Sequence, residues 1–484
     1  MNIFFLIFFA AISLFPLSAD EQELSPGKII DSVTCRADAV QSYALYLPSN
    51  YSPDRTWPIL YAFDPGARGR IPLERFREAA ERFEFIVVAS NNSRNGPWEP
   101  ILKAASAVVR DTFERFSIDR NRIYATGFSG GGQVASIFPR MLNLPIAGVI
   151  VCGAGLASEQ KPEDMNGLLY CGISGNADFN YREMRALDER MEKEGITHRM
   201  IVFDGEHTWP PPEECTRALE WLVVMGMNVG NIPIDKGMIV ETFERELNKA
   251  GELVASNELG RAASLYQTLV DTFRDSIDTG GAEQGLKALQ SSKSYKKFRK
   301  EESKAFQQED GHLGNVGRIL AQIRQGTFSS LDKSQIIHDL ELKYLTGKAK
   351  READNQGRLM AIRVLEAVWI NSRNSAWTYL DQKDPERAIL LFDIAMRAGI
   401  RRDDDKKYLY YGSACAYSQK ENKKKALEYL ILAFRHGLQE VELLEEEQAL
   451  DFIKETPEFK KILQDMKKKD GEVDRARVGN QRYM

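Results

Sequence analysis

Seven short, almost wholly apolar runs between Ser42 and Gly205 set the first limit on how this chain folds. They are SYALYLP (42–48), PILYAFD (58–64), FIVVAS (85–90), RIYATG (122–127), AGVIVCG (147–153), LLYCGIS (168–174) and MIVFDG (200–205). A strand that is apolar on both faces must be covered on both faces, and the arrangement that does this repeatedly is a mostly parallel sheet between layers of helices. Amphipathic segments at 100–117, 133–141 and 181–194 lie between the runs and supply those helices. The spacing therefore predicts an α/β domain over this stretch.

After Gly230 the strand signals stop. Residues 236–475 read as successive helices rich in Ala, Leu, Glu and Lys, with NIPIDKG as the junction. The expected organisation is an export signal at 1–19, a sheet domain at 20–230 and an all-α domain at 236–475. With 484 residues, each folded part is long enough to bury its own core. Within the helical part, 374–399 repeats as 412–437: Tyr379 matches Tyr417, Ala388 matches Ala426, Ala395 matches Ala433 and Gly399 matches Gly437, each 38 residues apart. A weaker copy lies at 246–273. Small residues inside such helices allow close approach, and the unit resembles the tetratricopeptide repeat, whose period is about 34 residues. An irregular helical bundle is the alternative.

The first nineteen residues, MNIFFLIFFAAISLFPLSA, are apolar and too short for a comfortable membrane span; Leu17-Ser18-Ala19 suits a signal cleavage site. The expectation is a secreted or periplasmic protein with no stable span after cleavage. Five cysteines, Cys35, Cys152, Cys171, Cys215 and Cys415, form no close metal-ligand pairs and no disulfide framework. A formal charge of −5 gives no basic surface for a phosphate backbone, so nucleic acid is not an expected partner. Phosphate-loop and dinucleotide motifs are absent from the sequence, and no metal or cofactor is expected.

Residues 122–138 read RIYATGFSGGGQVASIF. A strand runs into Gly127-Phe128-Ser129-Gly130-Gly131, and a helix begins near Gly132. In that setting G-x-S-x-G forms a sharp turn that leaves the serine oxygen exposed above the sheet. The N–H of Gly130 then faces a developing oxyanion. The bland alternative is a glycine-rich strand-to-helix turn with an idle serine.

A serine nucleophile needs a base, and the chain has five histidines. His198 precedes a strand, while His312, His338 and His436 lie in the helical part. His207 alone follows a strand directly, in MIVFDGEHTWPPP (200–212), and is the expected base. The acid should lie between serine and histidine in chain order. Asp178, in the loop after LLYCGIS, fits; Asp204 is the competitor, more naturally a brace for the histidine loop, and Glu206 is a lesser one. The second oxyanion donor should come from AFDPGARGR (62–70). Pro65 has no N–H, so the candidates are the amides of Asp64 and Gly66, with Gly66 preferred. The Asp64 carboxylate must then be turned away or paired, with Arg68 or Arg94 as partner. Arg94, Asn95 and Trp98 in SNNSRNGPW (90–98), and Trp209 beside His207, are candidate substrate contacts, or simply hold their loops together.

Together these motifs resemble the α/β-hydrolase superfamily over residues 40–225. The likeness is greatest to its exported esterase branch, which includes polyhydroxybutyrate-depolymerase-like and feruloyl-esterase-like proteins. That resemblance implies a Ser129–His207–Asp178 triad, an acyl-enzyme and no cofactor. The chain departs from it at Phe63-Asp64-Pro65-Gly66, where related enzymes usually carry His-Gly. The function expected is hydrolysis of a small or polymer-linked carboxylic ester. The alternatives are a peptidase or amidase on the same triad, and a scaffold protein with an inert hydrolase domain. The helical part suits a protein or peptide partner, since stacked helical pairs form concave faces.

Overall fold

A computed structural model describes residues 24–326, 333–351, 355–399 and 405–480, with side chains as far as Lys468. The expected export segment lies outside the described residues. The chain divides into two compact units, the first ending at Ala147 and the second beginning at Gly148. The boundary expected near 230 falls inside the second unit.

In the first unit the strands are β1 (Ile29–Cys35), β2 (Asp38–Tyr46), β3 (Trp57–Phe63), β4 (Ile86–Ser90) and β5 (Ile118–Phe128). They lie in the order β1-β2-β4-β3-β5, with β1/β2 and β2/β4 antiparallel and β4, β3 and β5 parallel. Every residue of β3 and β4 is buried, which accounts for their unbroken apolar sequence. The helices are α1 (Arg70–Phe83), α2 (Trp98–Arg115) and α3 (Gly130–Leu142). α1 turns Leu73, Phe76, Ala79 and Ala80 inward, the helical spacing of one buried face. Register matters for the site: Phe63 pairs with Gly127, so the loop after β3 and the turn after β5 leave the same sheet edge side by side.

The second unit opens with three parallel strands, β6 (Gly148–Cys152), β7 (Leu169–Gly175) and β8 (His198–Phe203), with α4 (Tyr181–Lys193) and α5 (Pro212–Asn228). Gly175 pairs with Phe203, so the loops that follow β7 and β8 also leave one edge together. Helices alone follow: α6 (Lys236–Ala255), α7 (Leu259–Phe273), α8 (Gly280–Ser291), α9 (Lys293–Gln325), α10 (Lys333–Asp339), α11 (Leu342–Ala349), α12 (Asn355–Asp381), α13 (Pro385–Ala398), α14 (Lys406–Gln419) and α15 (Lys423–Arg435), then shorter segments and a final helix ending at Asn480. The architecture is thus the expected α/β one, a mostly parallel sheet with helices followed by a long all-helical region.

The internal repeat has a structural counterpart. Lys383 and Glu421 adopt positive φ at the turn between paired helices. Asp384 and Asn422 then cap the next helix, accepting from the N–H of Arg387 and Lys425. Ala388, Ala395, Ala426 and Ala433 are all fully buried. The weaker copy makes the same turn, with Asn257 at positive φ between α6 and α7.

Glu246 of α6 fixes the start of the helical region to the sheet. It receives Arg199 of β8 at 2.9 Å and Arg217 of α5 at 2.7 Å. Burial pushes its carboxyl pKa up, but the two guanidinium groups overcome that and hold it at about 2. All five cysteines are buried and none is in a disulfide, and burial pushes the Cys35 and Cys171 thiols up to about 12. Among the described residues no helix is long and apolar enough to cross a membrane.

Candidate active site

The first unit holds the predicted nucleophile. β5 ends at Phe128, α3 begins at Gly130, and Ser129 between them has φ 53 and ψ −125. A serine in that backbone region is strained and persists only where its surroundings over-determine it. The surroundings here are glycine contacts. A Cβ on Gly127 would collide with the Gly131 carbonyl, and one on Gly131 with the Phe63 carbonyl. The turn can therefore close only with glycine at both places. A Cβ on Gly130 would strike the Asn95 amide, so that side chain packs directly on the start of α3.

Beside this turn runs the loop after β3. The Asp64 side chain is fully buried, and Arg68 donates to both its oxygens, Nε to Oδ1 at 2.8 Å and Nη2 to Oδ2 at 3.0 Å. Of the two partners weighed from the sequence, Arg68 is the one that pairs. The Gly66 N–H also donates to Asp64 Oδ1, at 2.8 Å. That amide is already engaged, which counts against the preference for Gly66 as an oxyanion donor. Gly66 bridges to Arg94, and the Asn95 N–H donates to the Pro65 carbonyl at 2.9 Å, so loops 64–66 and 94–95 form one wall. Asn92 accepts from the Ser42 N–H at 2.8 Å and Asn91 donates to the Asp31 carbonyl at 3.0 Å, so these two asparagines anchor the loop. Arg94 and Trp98 are exposed.

In the second unit the structure brings His207 and Asp178 together. His207 Nδ1 lies 3.0 and 2.9 Å from the two carboxylate oxygens of Asp178. Asp178 is 1% exposed, and the His207 side chain 10%. With the proton on Nδ1 donated to the carboxylate, Nε2 is left as the acceptor, the form a general base requires. The Asn180 N–H also donates to Asp178 Oδ1, at 2.8 Å. The Asp204 carboxylate accepts from Asn176 Nδ2 at 3.0 Å, bracing the loop after β7 against the loop after β8. Trp209 is buried.

Several neighbours were not anticipated. The Phe179 ring lies on the His207 imidazole with centroids 4.4 Å apart. Asn180 Nδ2 donates to the Gly153 carbonyl at 2.8 Å. The GNADFNY sequence hints at both, since residues flanking a loop acid must fix its backbone. Among the described residues no group of His, Cys, Asp and Glu is arranged to hold a metal ion. A cavity of about 1040 Å³ in the second unit lies between α4 and β8 on one side and α7, α9 and α12 on the other; Asp178 and His207 do not line it.

No family model and no curated protein matches this chain. Among solved structures, part of it is similar to a thermostable esterase at 21% identity, with a TM-score of 0.31 over 40% of this chain. The chain spans 62% of that esterase's length. It is similar also to the S-formylglutathione hydrolase of Staphylococcus aureus, at 14% identity and TM-score 0.34 over 41% of this chain and 99% of that one. A third is a thermophilic esterase of Thermogutta terrifontis with butyrate bound, at 14% identity and TM-score 0.31 over 43% of this chain and 96% of that one.

Proposed function

We propose that this chain is a serine hydrolase that cleaves carboxylic esters, with Ser129 as nucleophile, His207 as general base and Asp178 as the acid that orients it. The observation that carries this reading is the Ser129 backbone at φ 53 and ψ −125, held open by glycines between β5 and α3. The Asp178–His207 pair supports it from the other unit.

In this mechanism Ser129 Oγ attacks the acyl carbonyl as His207 Nε2 takes its proton. The carbonyl oxygen becomes an anion that receives the Gly130 N–H and one amide of the 64–66 loop. Pairing with Arg68 keeps the Asp64 carboxylate from opposing the anion. Collapse expels the alcohol, protonated by His207, and leaves Ser129 acylated. Water activated by His207 then repeats the sequence and frees the acid. Asp178 stabilises the imidazolium formed in each half. Arg94, Asn95 and Trp98, on the exposed loop beside the oxyanion wall, are the proposed substrate contacts.

Export belongs to the same proposal and rests on the apolar first nineteen residues. N-terminal sequencing of protein recovered outside the cytoplasm is expected to begin at Asp20; a chain that keeps Met1 contradicts it. The reaction is tested with p-nitrophenyl esters of increasing acyl length beside the matching p-nitroanilides. Turnover of the esters with little of the anilides is expected. Preference for the anilides would make the protein an amidase.

A further inference from the structure

The acid loop is gripped from far along the chain. Arg363 of α12 is one of the largest fully buried side chains, and Glu309 of α9 is fully buried beside it. Their ion pair is bidentate, Nε to Oε1 at 2.9 Å and Nη2 to Oε2 at 2.6 Å. The remaining terminal nitrogen, Nη1, donates to the main-chain carbonyl of Asn176 at 2.8 Å. The same guanidinium lies 5.1 Å from the ring centre of Tyr181, the first residue of α4. One side chain of the helical region therefore touches both ends of the segment 176–181, with Asp178 between them. Ala177, next to that acid, is packed into the hydrophobic core of the helical region.

Stability alone does not explain such a pair. Two charges taken fully out of water gain little over apolar side chains of the same volume. What the pair supplies is geometry: the planar fork, fixed by Glu309, holds Nη1 and its N–H groups in one fixed orientation. A carboxylate that must hold an imidazole needs its own backbone held to well under an ångström.

We propose that Arg363, set by Glu309, is a positioning residue for Asp178, so that the helical region is a working part of the catalytic site. This rests on the Ser129–His207–Asp178 reading. The test uses the full-length chain with p-nitrophenyl acetate and a fluorophosphonate probe. The double variant Arg363→Met with Glu309→Met removes the buried charges together and keeps the volume. Its kcat is expected to fall ~10- to 100-fold with KM changed by less than about threefold. In an Asp178→Asn background the same two changes should cost less than about twofold more, because their effect passes through Asp178. Should the double variant not fold, Arg363→Lys keeps the charge but not the fork, and the same pattern is expected of it.

An unchanged kcat overturns the proposal, as does an equal fractional loss with and without the Asp178 carboxylate. If wild-type Ser129 does not react with the probe, the hydrolase reading itself fails. If it reacts and the variants turn over like wild type, only the positioning role fails.

Discussion

The elbow around Ser129 and the loop around Asp178 are held in place by opposite means. At the elbow everything needed lies within a few residues or on the adjacent strand end: glycines at 127 and 131 pack backbone on backbone, and the Phe63 carbonyl closes the turn. At the acid loop the constraint comes from side chains, and from a long way off. Asn176 is tied to Asp204, Asn180 to Gly153, and the Asn176 carbonyl to Arg363, a separation of 187 residues. A side chain that needs only a sharp turn is set by local sterics; a carboxylate that must meet a histidine on another loop needs support from the tertiary fold.

Asp178→Asn should break the second arrangement most severely. The amide cannot hold the imidazole in the required tautomer, and kcat on p-nitrophenyl acetate is expected to fall by ~10⁴. A loss under tenfold would move the acid to another residue. Next is acid. Glu246, with its carboxyl pKa held at about 2 against an ordinary 4.5, contributes stability that is complete above 4.5 and is lost as pH falls towards 2. Denaturation measured from pH 7 to pH 3 should show a loss on the order of a few kcal/mol, and Glu246→Gln should flatten it. An unchanged slope in that variant would assign the acid sensitivity elsewhere.

Gly131→Ala tests the elbow side. Its Cβ meets the Phe63 carbonyl, and a stability loss of roughly 1–3 kcal/mol is expected, with slower labelling of Ser129. Full stability and full labelling would show that the turn tolerates a side chain there. The smallest effect belongs to Asp204→Asn. An exposed brace is worth about 1 kcal/mol or less, and kcat should stay within about threefold of wild type. A collapse of activity would revive Asp204 as the acid.

Legibility in the sequence followed the same division. The fully buried strands β3, β4, β6 and β7 announced themselves as apolar runs. β1 did not, because Ile29–Cys35 is partly exposed and mixes polar with apolar residues. The elbow could be read directly, since its glycines are consecutive with the serine. His207 and Asp178 were legible from chain order and strand ends. The bond from the Gly66 amide to the Asp64 carboxylate was not legible, because the motif carries no sign of a side-chain bond within a tight loop. Arg363 and Glu309 left no signal at all: a charged residue in a helix reads as a solvated face until the fold buries it.

Reaction of the full-length protein with a fluorophosphonate, followed by mass spectrometry of the modified peptide, tests the central claim most directly. One adduct is expected, on Ser129, absent from Ser129→Ala. No adduct on wild type, or equal labelling of the two proteins, would contradict the assignment of Ser129 as the nucleophile.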